Sequence, residues 1–134
     1  MKTINVSTRL EMYKQALADK QFAGDTIKEL SNKANSFERI TITSSLTISR
    51  GSSELQYIFA LGVINSQIAS CTELGLDPTD LINKKNSVKE LFEIDKEYKA
   101  WATFLDEIYT YVHKLEKLLT DEDRLQLLEY PVKP

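Results

Sequence analysis

The residue types best suited to metal chemistry are three glutamates at a spacing of three and four, Glu90, Glu93 and Glu97. Carboxylates three or four positions apart on a helix lie on neighbouring turns, so they can share a Mg²⁺ ion. Such a site needs acids that point into a helical bundle, whereas the apolar pattern of this segment places Glu90 and Glu93 on its exposed side. We therefore interpret the three glutamates as a solvated face, and we expect no metal and no other cofactor.

One histidine and one cysteine complete the set of residues that could carry a reaction. A catalytic histidine needs a neighbour that orients it and a pocket that shields it, but His113 falls on the polar side of an apolar repeat. A reactive thiol needs nearby positive charge or a helix N-terminus, but Cys71 comes near the end of an apolar segment. We predict a surface histidine, a buried structural cysteine and a protein that is not an enzyme.

Charge and motif content argue against a nucleic-acid partner. The chain has 17 basic and 20 acidic residues, a net charge of −3, and no basic run longer than Lys84-Lys85. Nucleic-acid binding usually needs a basic patch, because neutralising phosphates releases counterions. Neither G-x-G-x-x-G nor G-K-[ST] occurs, so we predict no glycine-rich phosphate loop.

The clearest structural signal is an apolar repeat in the C-terminal half of the chain. Its steps alternate between three and four residues, which is the a/d pattern of a heptad helix. We predict one long helix from about Ser87 to Leu119. The apolar positions of the repeat are Leu91, Ile94, Tyr98, Trp101, Leu105, Ile108, Val112, Leu115 and Leu119.

Capping and stop residues predict the shorter helices. A Ser, Thr or Asp before an apolar periodic segment marks a helix start, and a glycine after such a segment marks its end. The predicted elements are a helix over 8–22 ended by Gly24, a helix from Ser53 to about Leu74 ended by Gly75, a short helical turn after Asp77-Pro78 and a last short helix after Thr120.

The segment between the first two of these helices supports two interpretations. Thr26 and Glu29 have the spacing of a capping box, which favours a helix that continues to about Ser49. From Ile40 to Ile48, however, apolar residues alternate with threonine, which is typical of a strand. We favour the helix, because a lone strand needs a partner and the candidate is the short stretch 4–6. A short β-hairpin over 39–48 is the alternative.

The helix after Ser53 is apolar on almost every side between Leu55 and Ile64, so we expect it to be buried. The longest apolar run, Ile58 to Ile64, is far shorter than the ~20 residues of a membrane span. The N-terminus has no apolar signal segment. We expect no membrane contact and a cytoplasmic location, since one cysteine gives no sign of an oxidising compartment.

Together these elements predict an all-α protein. The chain has 134 residues, which is about one domain, and its 4 glycines and 3 prolines can punctuate few turns. We predict a single helical-bundle domain over residues 1–134, with about four main helices and the long C-terminal heptad helix.

The long helix gives a structural reason to expect a protein partner. The other helices are shorter, so one end of the heptad overhangs and must be covered by the rest of the chain or by another subunit. Phe92 and Tyr109 lie outside the apolar seam, and exposed aromatic residues commonly anchor interfaces. We predict a non-enzymatic protein-binding factor, such as a small inhibitor, adaptor or chaperone-like protein, that binds another protein or a second copy of itself. The candidate binding residues are Phe92, Tyr109, Leu125 and Leu127.

Two alternative functions follow from weaker patterns. A Mg²⁺-dependent all-α nucleotide pyrophosphohydrolase would use Glu90, Glu93 and Glu97 as ligands. A DNA-binding regulator would need a helix-turn-helix within residues 20–60. Its recognition helix would be rich in Ser and Thr and would carry only Arg39 and Arg50 as basic residues. We rank the enzyme second and the regulator third.

Overall fold

The computed structural model describes residues 6–129 and confirms the all-α fold. Within these residues the chain forms four helices and one small antiparallel sheet of two strands. The elements in chain order are α1 (Val6–Asn35), β1 (Ile40–Thr43), β2 (Leu46–Ile48), α2 (Glu54–Glu73), α3 (Thr79–Leu118) and α4 (Asp121–Glu129). Among these helices, none has both the length and the apolar character needed to cross a membrane.

Contacts between residues divide the chain into two compact units, which we name by their position along the chain. The terminal unit contains the described residues of 1–28 and 100–134, and the central unit contains residues 29–99. α1 and α3 each contribute residues to both units. The prediction of a single domain over 1–134 stays a prediction.

α1 is longer than predicted and continues through Gly24. The predicted stop is wrong, because Gly24 does not adopt the positive φ that a glycine stop uses. Thr26 does not start a new helix either, since its hydroxyl donates to the carbonyl of Phe22 one turn back (2.8 Å). Ala23 and Leu30 are both buried, so the apolar face runs across the predicted break and favours one continuous helix.

A β-hairpin follows α1. The predicted helix over 26–49 is therefore wrong beyond Asn35, and the alternative hairpin over 39–48 is confirmed. The partner strand comes from the second half of the same segment. The stretch 4–6 considered as a partner lies, except for Val6, outside the described residues. Helical spacing in this segment was therefore a weaker guide than the alternation of β-branched residues.

The pairing of the two strands fixes which side of the hairpin is covered. β1 and β2 are antiparallel and contain an irregularity between Thr41 and Thr43. Ile42 and Ile48 are buried, whereas Thr41 is exposed. One face of the hairpin is thus apolar and packed, which the alternating sequence pattern predicts for a half-buried strand.

Both ends of α2 follow the predicted cap and stop. Ser53 Oγ accepts a hydrogen bond from the Gln56 amide (3.1 Å), and Gln56 Oε1 accepts one from the Ser53 amide (2.7 Å), which completes a capping box. After the last turn, Gly75 adopts a φ of +70°. The Leu76 amide then donates to the Cys71 carbonyl (2.8 Å), as in a glycine-stopped helix.

α3 joins two predicted elements into one helix. The short turn after Asp77-Pro78 and the long helix predicted to start at Ser87 are continuous, so Ser87 lies inside α3. The inward orientation of the apolar repeat is confirmed in most positions. The buried positions are Leu91, Ile94, Ile108, Val112, Leu115 and Leu119, and the half-buried ones are Tyr98, Trp101 and Leu105.

The terminal unit has a core made by residues of α1, α3 and the chain just beyond α3. Its buried apolar residues include two clusters, one of Ala16, Ile108, Val112 and Leu115 and one of Leu10, Tyr13 and Leu119. The Tyr13 hydroxyl donates to Glu116 Oε1 (2.9 Å). Burial and this hydrogen bond raise the pKa of Tyr13 to about 12.

α4 begins at the predicted cap. The Thr120 amide donates to Asp123 Oδ2 (2.9 Å), and the Asp123 amide donates to Thr120 Oγ1 (3.2 Å). Arg9 Nε donates to the same carboxylate oxygen (3.2 Å). The backbone hydrogen bond from Thr120, together with Arg9, outweighs the effect of burial and holds the pKa of Asp123 below its usual range.

Candidate functional site

The glutamates considered for metal binding lie on the surface of α3. Glu90, Glu93 and Glu97 are all exposed, and Glu93 Oε1 lies 3.4 Å from Lys96 Nζ. Among residues 6–129, no group of three or more His, Cys, Asp and Glu side chains is placed to hold a metal ion. The exposure of the three glutamates agrees with their interpretation as a solvated face.

The histidine and the cysteine occupy different environments. His113 is exposed, as predicted, and its Nδ1 lies 3.5 Å from Glu116 Oε2 on the next turn of α3. Cys71 is only half-buried, so the prediction of a buried cysteine is wrong. Cys71 is partly accessible because its side chain lines an open groove along α2.

Phe92, a predicted binding residue, packs inside the central unit. Its ring is stacked on that of Tyr57, with centroids 4.6 Å apart and planes 7° from parallel. Lys96 Nζ lies 4.0 Å from the centroid of the same ring. Phe92 is therefore half-buried by its own chain, and little of its ring is left for a partner.

The other three predicted binding residues lie in the terminal unit. Tyr109 is 57% exposed, with Lys20 Nζ 4.2 Å from its ring centroid, and Leu125 is 63% exposed. Leu127 is half-buried and packs against the cluster that contains Leu10. Tyr109 and Leu125 are thus accessible, and the binding role of all four residues stays a prediction.

One side of α2 anchors the helix in the central unit. Tyr57, Ala60 and Ile64 recur at a helical spacing of three and four, and all three are buried. One turn further along, Gln67 Nε2 donates to the Ile42 carbonyl of β1 (3.5 Å). This side of α2 is therefore fixed by apolar packing and by contact with the hairpin.

A buried carboxylate fixes the turn that leads into α2. Asp95 is buried, accepts a hydrogen bond from the Gly51 amide (3.0 Å) and accepts a second one from the Tyr57 hydroxyl. Burial and the Asp95 carboxylate raise the pKa of Tyr57, so this hydroxyl keeps its proton and serves as a donor. Asp95 thereby ties α3 to both the turn and the first turn of α2.

The opposite side of α2 is apolar and exposed. Leu55, Ile58 and Phe59 are 60%, 52% and 59% exposed, although their neighbours at Tyr57 and Ala60 are buried. The prediction that this whole segment is buried is therefore wrong. These side chains are exposed because the segment is apolar on almost every side, whereas the described part of the chain covers one side of it.

The exposed side of α2 also lacks charge. From Leu55 to Thr72 the sequence contains no Asp, Glu, Lys, Arg or His, although charged residues make up 28% of the chain. A surface helix of a monomeric protein normally carries charged residues on its solvent side. We call the exposed residues Leu55, Ile58, Phe59, Gly62, Ser66 and Ala69 the uncharged face.

A shallow groove of about 500 Å³ runs beside the second half of α2. Its lining is uncharged, and it includes one residue, Leu81, from α3. The other lining residues, all on α2, are Val63, Ser66, Gln67, Ser70 and Cys71. The first half of α2 therefore presents large side chains, and the second half presents a depression.

Gly62 lies at the middle of the uncharged face. A glycine inside a helix costs roughly 1 kcal/mol relative to alanine, so its presence there needs a reason. A side-chain carbon at Gly62 would meet nothing within 4 Å, so packing within the described chain does not require glycine. The open space above Gly62 instead allows another backbone to approach closely.

The uncharged face was missed by sequence reasoning, although the absence of charge over Leu55–Thr72 was a usable signal. Its side chains can make apolar contacts and a few hydroxyl hydrogen bonds, which suits association more than acid, base or nucleophilic chemistry. Comparison of this chain with protein-family models, curated proteins and solved structures finds no significant match.

Proposed function

We propose that this protein is a non-enzymatic protein-binding factor and that the uncharged face of α2 is its binding surface. The observation that carries the proposal is the exposure of Leu55, Ile58 and Phe59 on a helix that has no charged residue between Leu55 and Thr72. The centres of protein interfaces are depleted in charged residues and enriched in aromatic ones, and this face has no charged residue and carries the exposed ring of Phe59.

The energetic argument concerns the water that covers these side chains. Complete burial of a Leu, Ile or Phe side chain contributes about 1.5–3 kcal/mol, and each of the three is more than half exposed. A partner that covers the face therefore gains roughly 1 kcal/mol or more from each residue. Because α2 is anchored by its buried side and by Asp95, the partner does not have to order the helix on binding.

The proposal is tested by capture of partners with the tagged full-length chain and with a matched pair of charge variants. Phe59→Glu places a carboxylate on the uncharged face, whereas Leu128→Glu places one at a residue of α4 that is 80% exposed. Bound proteins from a lysate of the source cells are quantified by mass spectrometry. We expect a near-stoichiometric partner with the wild type and Leu128→Glu, reduced at least tenfold with Phe59→Glu.

A third variant separates this surface from the one predicted from the sequence. Tyr109→Ala truncates an exposed ring of the terminal unit and leaves α2 unchanged. We expect it to retain the partner. Loss of the partner with Tyr109→Ala, and retention with Phe59→Glu, would move the binding surface to α3 and contradict the proposal.

A further inference from the structure

We infer that the uncharged face of α2 binds the same face of a second copy of this chain, with the two α2 helices antiparallel. This inference rests on the proposed function and specifies the partner. The first half of α2 carries the exposed large side chains Leu55 and Phe59, and the second half carries a groove lined by Ser66 and Ser70. A two-fold axis brings the large side chains of each copy into the groove of the other.

The spacing along α2 fits this arrangement. Phe59 and Ser66 are seven residues apart, which is about two helical turns, so both lie on the same side of the helix. In an antiparallel pair centred between Gly62 and Val63, Phe59 of one copy faces Ser66 of the other. Leu55 then faces Ser70 in the same way, and each contact occurs twice because the pair is symmetric.

Two features of the face favour a second copy as its occupant. Between Leu55 and Thr72 no like charges meet when the face pairs with itself, since the sequence has no charged residue there. At the centre of the pair, Gly62 leaves open space above the helix and lets the two backbones approach. A binding face for a charged partner would instead carry complementary charges.

The size of the contact sets its expected strength. α2 has 20 residues, so it is about 30 Å long and about 10 Å across with its side chains. Two such helices bury on the order of 1,000 Å² in total, which is the low end of specific interfaces. We therefore expect a dimer that dissociates in the micromolar range.

A membrane surface is the other apolar environment that such a helix could enter, and the sequence of α2 disfavours it. Helices that lie on a membrane combine an apolar face with a polar face rich in Lys and Arg. α2 has no basic residue on any side. Its opposite side is occupied by the packing of Tyr57, Ala60 and Ile64.

The test is the solution mass of the full-length chain, measured by sedimentation equilibrium over a range of concentrations around the micromolar dissociation constant. We expect a shift from the 15.3 kDa of one chain to twice that mass. Phe59→Lys and Ser66→Glu should each weaken the dimer at least about 100-fold, because a charge would lose its water without gaining a partner. Both residues are exposed, so neither change is expected to disturb the fold, which circular dichroism checks.

Charge exchange distinguishes the antiparallel pair from other dimers. The double variant Phe59→Lys with Ser66→Glu places opposite charges face to face twice in an antiparallel pair and should recover most of the lost affinity. In a parallel pair the same double variant would align like charges and would stay monomeric. Leu128→Lys, on α4, is the matched control and should leave the dimer unchanged.

Three results would overturn the inference. A wild-type chain that stays monomeric at every concentration would exclude a second copy as the partner, but it would leave capture of another protein as the test of the proposed function. A dimer that Phe59→Lys does not weaken would use another surface. Co-sedimentation of the wild type, but not of Phe59→Lys, with neutral phosphatidylcholine vesicles would assign the face to a membrane.

Discussion

At the scale of single residues, Asp95 connects α3 to the start of α2. Its carboxylate is buried and receives the Gly51 amide and the Tyr57 hydroxyl, and the Tyr57 ring in turn stacks on Phe92. A buried carboxylate is costly unless its oxygens are hydrogen-bonded, and here both donors come from the chain that leads into and begins α2. The hydrogen bonds of Asp95, on the buried side of α2, therefore help to fix the helix that carries the uncharged face.

Removal of this carboxylate should destabilise the protein. Asp95→Ala removes the acceptor of the Gly51 amide and leaves the Tyr57 hydroxyl only the Ser49 carbonyl, 3.4 Å away, so we expect a loss of about 1–3 kcal/mol in the free energy of unfolding. Tyr57→Phe removes the hydroxyl from both of its acceptors and keeps the stacked ring, and we expect a loss of about 1 kcal/mol. Urea unfolding followed by circular dichroism gives both values.

The control for Asp95→Ala is Glu97→Ala, which removes an exposed carboxylate two residues further along α3. It should change stability by less than about 0.5 kcal/mol, as surface substitutions usually do. If Asp95→Ala proved as mild as Glu97→Ala, the described hydrogen bonds would not be what fixes the turn before α2.

The ionisation of Asp123 determines the response that we expect of the terminal unit to low pH. Its pKa is held below the usual value by the Thr120 amide and by Arg9, so the ionised form is the one that stabilises the fold. A lowered pKa contributes stability above the unfolded value of about 3.9, and this contribution is lost as the pH falls through the lower folded value. We expect the amides of α4 to lose protection from hydrogen exchange below about pH 4.

Asp123→Asn supplies the comparison for this acid response. The amide can still accept a hydrogen bond but cannot ionise, so protection of α4 should be weaker at neutral pH and nearly independent of pH in the acid range. Asp106→Asn, at an exposed position of α3, should keep the wild-type acid response. An unchanged acid response in Asp123→Asn would assign the effect to another group.

At the scale of elements, two glycines inside helices provide a matched comparison. Gly24 in α1 and Gly62 in α2 both have open space where a side chain would begin. Alanine at either position should stabilise the single chain by about 1 kcal/mol, because glycine is the poorer helix former. We expect thermal midpoints a few degrees higher for both variants in dilute solution.

The two variants should differ once the protein is concentrated. Gly62→Ala adds a methyl group where two copies are inferred to meet, so it should weaken the dimer, whereas Gly24→Ala should not. Sedimentation at high concentration distinguishes them. An equal effect of the two variants on the dimer would argue that Gly62 is not at the contact.

The helix boundaries show what sequence patterns can and cannot predict. Gly24 and Gly75 were both predicted stops, and Gly75 is a real one. Pro78 follows three residues after Gly75 and cannot continue a helix, whereas the residues after Gly24 keep a helical apolar face through Leu30. A glycine therefore predicts an end reliably only when the following residues also oppose the helix.

The segment 39–50 also shows a limit of prediction from sequence patterns. Helical spacing and strand alternation were both present from Ile40 to Ile48, and the hairpin is the observed result. A strand needs a partner, and the alternation from Ile40 to Ile48 does not by itself show whether its two halves pair with each other, as the alternative hairpin requires. Local propensity was informative here, but the pairing is a tertiary property.

At the scale of the whole molecule, the inward positions of the heptad were predictable but the exposure of α2 was not. Most residues of α3 outside the apolar repeat are polar, so the spacing of the repeat alone identifies most of the buried face. The first half of α2 is apolar on almost every side, so its sequence cannot tell which side the rest of the chain covers. The candidate site was missed because exposure depends on neighbours and not on composition.

The distribution of charge along the chain also distinguishes α2 from the other helices. The 17 basic and 20 acidic residues are spread along the chain, yet none occurs between Leu55 and Thr72. Charged residues keep copies of a protein apart in solution, and this helix lacks them on its exposed side. We therefore expect association at this surface more than at the exposed apolar residues elsewhere, such as Leu118 and Leu128, which have charged residues near them in the sequence.

The lack of ionisable groups on the uncharged face also determines which solution conditions can control it. No charge there titrates or is screened, so neither a mild change of pH nor added sodium chloride acts on the contact directly. Its driving force is the release of water from apolar surface, which weakens on cooling and strengthens with excluded salts such as sulfate. We therefore expect temperature and the choice of anion, more than pH or sodium chloride, to shift the inferred equilibrium between one chain and two.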